Sequence, residues 1–153
     1  MRARIPRVTR IDPADVMPTL LVAFADDPVV RWLYPDDETY ARAFPELVLL
    51  SAGAAFDAGT VDATEGGRAV AIWDPPGADR DPEEVGSAWV THFQAHLDPA
   101  RLGDVFAWGE QTGQFHPIDP HWYLAMIAVA PDRQGRGHGA ALVRAGLERC
   151  DRD

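Results

Sequence analysis

Lysine and asparagine are both missing from this chain of 153 residues, and all fourteen basic residues are arginine. Both absent residues use A-rich codons, so the bias reads as genomic and carries no function of its own. The missing lysine still excludes a P-loop, which ends on Lys followed by Ser or Thr. A single cysteine, Cys150, excludes an internal disulfide and every zinc-finger pattern. At the end of a helix-like segment it reads as a small buried apolar residue rather than a nucleophile. No stretch approaches the ~20 apolar residues of a membrane span. The basic Met1–Arg10 has no apolar run behind it, so it is no secretory signal. Repeats and low-complexity linkers are also missing. The expectation is one cytoplasmic domain over residues 1–153, with no membrane partner.

What is present begins with charge. A formal net charge of −10 argues against nucleic acid as a partner. The acidity is uneven: residues 133–152 hold Arg133, Arg136, Arg144, Arg149 and Arg152 against only Glu148 and Asp151. That segment suits a polyanionic ligand. The acidic remainder suits a cationic amine, or simply keeps the protein soluble.

Hydrophobic periodicity orders the chain. Ile5–Arg10 alternates as a short strand. Asp15 is expected to cap a helix that carries Val16, Leu20 and Phe24 and ends near Ala25, with Pro18 in its first turn. Asp26-Asp27-Pro28 breaks it, and Val29–Tyr34 begins a further helical turn. A long helix over Glu38–Ala58 closes on Gly59. Thr60–Ala63 and Arg68–Trp73 form a hairpin around Thr64-Glu65-Gly66-Gly67. Residues 83–97 and 99–112 read as two helices. A strand over Trp122–Ala130 precedes a final helix with Leu142, Val143, Gly146, Leu147 and Cys150 on one stripe.

Between that strand and helix lies Gln134-Gly135-Arg136-Gly137-His138-Gly139. A strand, a glycine-rich turn and a helix start, in that order, expose main-chain N–H groups to an anion and aim the helix dipole at it. A dinucleotide fingerprint can be overlaid on Gly135, Gly137 and Ala140, but Pro131–Gln134 intervene and no second strand follows. The pattern Gln-x-x-Gly-x-Gly fits Gln134, Gly137 and Gly139. With Val129-Ala130-Pro131 before it, this run resembles the acetyl-coenzyme A loop of the GNAT acetyltransferase superfamily. Ala23–Pro28, Ala69–Trp73 and His121–Leu124 are spaced as in members similar to puromycin N-acetyltransferase.

The resemblance implies an α+β fold with a mixed, mainly antiparallel central sheet flanked by helices. It also implies transfer of acetyl from acetyl-CoA to a primary amine of a small molecule. The family continues with a further strand, helix and strand pair. Arg149–Asp153 contains none of these, so a domain incomplete at the C-terminus is expected, with one edge of Trp122–Ala130 lacking a strand partner and the usual general acid, a tyrosine, beyond residue 153. A noncatalytic remnant keeping the loop, and a dinucleotide-binding module, stand as alternatives.

By resemblance, the main chain of Ile127, Ala128 and Val129 receives the pantetheine arm, and Gln134, Gly135, Gly137, His138 and Gly139 hold the pyrophosphate. Arg133 and Arg136 either add charge there or are solvated. The loop from Ala25 to Tyr34 closes over the acceptor. Asp26 and Asp27 either bind its cation, with Asp27 as a base through water, or form the turn before Pro28. Trp32, Trp73 and Trp122 either wall the substrate pocket or pack the core. His121 either acts as a base near neutral pH or caps the strand. Trp122–Ala130 contains no acid to steer a deprotonating water, and no metal site is expected.

Overall fold

The computed structural model describes residues 11–78 and 81–152. The strand expected over Ile5–Arg10 lies outside them. Helix α1 spans Pro13–Ala23, capped by Asp12, whose carboxylate accepts from the Ala14 N–H at 2.8 Å. The cap is therefore Asp12, not Asp15. Pro13 with its fixed φ takes the first helical position, and Asp12 before it is extended, as an N-cap requires. Pro18 consequently falls inside the helix. Val16 and Leu20 on either side of it are fully buried, so packing holds the turn that Pro18 weakens.

Helix α2 (Pro28–Leu33) and the long α3 (Asp37–Ala58) follow, α3 ending on Gly59 at φ 69°. Strand β1 (Val61–Ala63) turns through Glu65–Gly67 into β2 (Ala69–Asp74). Helices α4 (Pro82–His96) and α5 (Leu102–Gly113) precede β3 (Tyr123–Val129), and α6 (His138–Cys150) comes last. The described strands form one sheet in the order β1-β2-β3, antiparallel at both pairings. The βαβ unit that a dinucleotide fingerprint needs is not formed by these strands.

Strand β2 is covered on both sides, which makes three layers. Val70 and Ile72 face α1 and α3 in a core with Val16, Leu20, Phe44 and Val48. Ala69, Ala71 and Trp73 face α6 and meet Leu142. The period of two along β2 thus separates two apolar clusters. On α6, Leu142 and Gly146 make the contact, while Leu147 is 50% exposed, against the expected stripe. One residue past Gly146 turns the helix by about 100° and carries Leu147 away from the sheet.

Strand β3 has two features that matter for function. Among the described residues it pairs only with β2, so its other edge carries no strand. Its register shifts midway: Trp73 faces Leu124 and Ile72 faces Met126, leaving Ala125 without an opposite residue. That bulge bends the strand and re-aims the side chains before it, including Tyr123.

Candidate active site

The two ends of β3 build two different surfaces. At its C-terminal end the Ala130 N–H donates to the Arg68 carbonyl at 2.9 Å, and Pro131–Arg133 makes a single 3-10 turn. The Gln134 side chain donates back to the Val129 carbonyl at 3.1 Å, and Arg68 pairs with Asp132. These bonds fasten the turn to the sheet before the glycines begin. Gly137 caps α6 in the left-handed region, φ 82°, and offers no side chain to the helix start. The first helical bond from this end is Ala141 N–H to the Gly137 carbonyl, at 3.0 Å. Among the described residues, no hydrogen bond takes up the N–H groups of His138, Gly139 or Ala140. Open donors at a helix start, with Cβ-free residues around them, have a geometry that could hold phosphate oxygens. Arg136 is exposed beside them, and Arg133 lies 3.6 Å from Asp132.

The N-terminal end of β3 opens into a cavity of about 920 Å³. Trp89 and Phe93 of α4, Phe106 and Trp108 of α5, and Tyr123 give it an aromatic wall; Asp74, Glu110 and Asp119 supply carboxylates. His121 lines it as well. Its Nδ1 lies 2.8 Å from the Asp119 carbonyl, which can only accept, so the neutral ring carries its proton on Nδ1. The opposite nitrogen, Nε2, is buried and has no hydrogen-bond partner among the described residues. His116 stacks edge-on against Tyr123 at 4.7 Å in the same wall.

The other residues expected around the acceptor do not gather here. Asp27 caps α2, one carboxylate oxygen accepting from the N–H groups of Val29 at 3.0 Å and Val30 at 2.9 Å. Asp26 is exposed in the preceding turn. Trp73 and Trp122 lie on the α6 side of the sheet, Trp73 under Gly146 and Trp122 under the Arg149 guanidinium at 5.7 Å. Arg149 itself pairs with Asp62 at 2.6 Å. Trp32 comes nearer: it meets Trp108, a wall residue, edge-on at 5.9 Å. Period-two alternation explains the split, since His121 and Tyr123 face one side and Trp122 the other.

Sequence reasoning passed over a cluster behind the aromatic wall. Tyr34 Oη lies 2.6 Å from His92 Nε2, His92 Nδ1 is 3.3 Å from Glu46 Oε2, and His96 Nε2 is 2.9 Å from the same oxygen. Burial pushes the Tyr34 hydroxyl well above its ordinary pKa, and the Glu46 charge adds to this. Burial also pulls His92 down, outweighing its contact with Glu46. Glu46 is held low, chiefly by the hydrogen bond from His96. The i, i+4 spacing of the two histidines was a visible signal. Their partner, 46 positions before His92, was not.

Comparison with known proteins bears on the whole arrangement. Residues 69–153, more than half of the chain, match the Acetyltransferase (GNAT) family. The chain belongs to the GNAT acetyltransferase family. The fold is also similar to a solved Corynebacterium glutamicum structure named "histone acetyltransferase HPA2 and related acetyltransferase". The two are 28% identical, with a TM-score of 0.59 over 97% of this chain and 72% of that one. Members of the GNAT family use acetyl-CoA as acetyl donor, and the glycine turn after β3 lies inside the matched region.

Proposed function

We propose that this GNAT chain transfers acetyl from acetyl-CoA to the primary amine of a small molecule with an aromatic or apolar body. Several features support the reading together. The cradle of Gly135 to Gly139 suits the pyrophosphate. Tyr123 and Val129 stand at opposite ends of a strand about 20 Å long. The unpaired edge of that strand, with the main chain of Ile127 to Val129, suits an extended pantetheine arm lying between the cradle and the cavity. Aromatic walls and the carboxylates of Glu110 and Asp119 suit a cationic, partly apolar amine. Acetyl-CoA would supply the thioester carbonyl that the neutral amine attacks.

The observation that carries the reading is His121. A base must take the proton of an ammonium before the amine can attack, and His121 lines the cavity with its tautomer fixed from behind and its buried Nε2 without a partner among the described residues. Asp27 in this reading stays the cap of α2, and Asp26 a turn residue. Membership of the puromycin N-acetyltransferase-like subgroup fits the aromatic cavity and is part of the same proposal.

The test is thiol release from acetyl-CoA with a panel of aromatic and aliphatic amines and one lysine-bearing peptide. His121→Gln should lower kcat by about 10²-fold or more, with the acetyl-CoA KM unchanged and the loss eased at high pH, where free amine is abundant. Equal turnover by wild type and variant at every pH would overturn the base assignment. Transfer to the peptide with none to small amines would overturn the substrate class.

A further inference from the structure

We propose that Glu46, His92 and His96 form a binding site for one divalent transition-metal ion, with Zn2+ the best fit to the donor set. The three side chains come from two helices, and one ligand atom from each lies within 4.8 Å of the others. The two shorter separations, 2.9 and 3.3 Å to Glu46 Oε2, are close to the spacing of about 3.3 Å between ligands in a tetrahedral zinc site. The remaining separation is between the two imidazole nitrogens, both on α4, and a small rotation of the rings completes the set.

The donor set suits a metal: two imidazole nitrogens and one carboxylate oxygen converge from two helices. His92 presents Nδ1 toward Glu46, and its other nitrogen lies 2.6 Å from Tyr34 Oη. A hydroxyl accepts as readily as it donates, so Tyr34 can receive the Nε2–H when Nδ1 gives its lone pair to the ion. Without an ion His96 Nε2 donates to Glu46, so metal binding displaces that proton to Nδ1, which has no partner among the described residues. Two imidazole nitrogens and one carboxylate oxygen favour Zn2+ or a similar first-row ion over Ca2+ or Mg2+, which take oxygen ligands. Glu46 is half-exposed while both imidazoles are buried, which leaves the fourth position facing solvent.

The site would hold α3 and α4 together one turn from Leu50 and Trp89, which line the cavity. An ion there sets the separation of two cavity walls without touching the acceptor.

The experiment uses the full chain after treatment with chelator. Zn2+ is titrated calorimetrically, Co2+ is followed by its visible absorption, and thermal melting is recorded with and without metal. The expected result is one ion per chain and a higher melting temperature with Zn2+. The Co2+ spectrum should lack a sulfur charge-transfer band. Glu46→Gln and His96→Gln should each weaken binding at least about tenfold, and circular dichroism should show both folded. His116→Gln and His138→Gln should bind as wild type. No saturation at one ion per chain, unchanged affinity in the Glu46 and His96 variants, or a thiolate band from Cys150 would each overturn the site. In the first case the cluster is a hydrogen-bond network only. If a variant does not fold, the stoichiometry and ligand spectrum of the wild type decide.

Discussion

Gly146 shows why one small residue in a helix can matter as much as a large one in a strand. Trp73 is 5% exposed, and its indole occupies the space where a Cβ at Gly146 would be. The ring is hemmed in by β2 and Leu142, so it cannot swing aside cheaply. Gly146→Val should lower stability by about 1–3 kcal/mol through overpacking, despite replacing a poor helix former. A melting temperature equal to wild type would show that α6 can lift off the sheet without cost. Gly137 is a different kind of glycine. Among the described residues nothing lies within 4 Å of its missing Cβ, so its requirement is the left-handed backbone and the open donors beside it. Gly137→Ala meets only the backbone strain, about 1–2 kcal/mol. Gly137→Glu adds bulk and a negative charge where phosphate oxygens are proposed to sit. Calorimetry with coenzyme A should therefore show a severe loss for Gly137→Glu and a mild one for Gly137→Ala. Retained affinity in the glutamate variant would count against the cradle.

At the scale of elements, the joints between helices depend on single polar contacts inside apolar surroundings. The Tyr40 hydroxyl donates to the Leu21 carbonyl at 2.7 Å and so ties α3 to α1. Its ring stacks on Phe44 at 5.1 Å. Burial raises the Tyr40 pKa from 10.0 to about 12, partly offset by Arg31. Tyr34 shifts in the same direction. The folded chain thus holds these protons where the unfolded chain has begun to lose them. The stability they contribute is complete below pH 10 and is lost as pH rises through about 12. Tyrosinate absorbance followed against pH should show two tyrosines ionising late and together with alkaline unfolding. If all tyrosines titrate near pH 10 before unfolding, the tie between α1 and α3 is not formed in solution. Helix boundaries obey the same economy of local contacts. Aspartate followed by proline caps α1, α2 and α4, and the sequence showed these pairs, but choosing Asp12 over Asp15 needed the burial of Val16 and Leu20.

Across the whole molecule, the sequence by itself determined what depends on neighbours in the chain. Apolar periodicity located α3, the β1–β2 hairpin, β3 and α6 nearly to the residue, because helix and strand periods, caps and glycine turns are local effects. The glycine run was legible for the same reason: strand, turn and helix start are consecutive. Tertiary structure decided everything that turns on which face meets which. It sent Trp73 and Trp122 under α6 and left His121 and Tyr123 at the cavity, a division that one residue of register controls. It placed the bulge at Ala125, which no local pattern marks. The Asp27 cap, by contrast, is local, since its donors Val29 and Val30 are two and three residues along the chain. Tertiary structure also brought Glu46 to His92 and His96, because α3 and α4 pack side by side through apolar residues that reveal nothing of their polar neighbours. A contact between residues far apart in sequence exists only once the core has chosen how its layers stack, and that choice is made by the sum of many weak burial terms rather than by any motif.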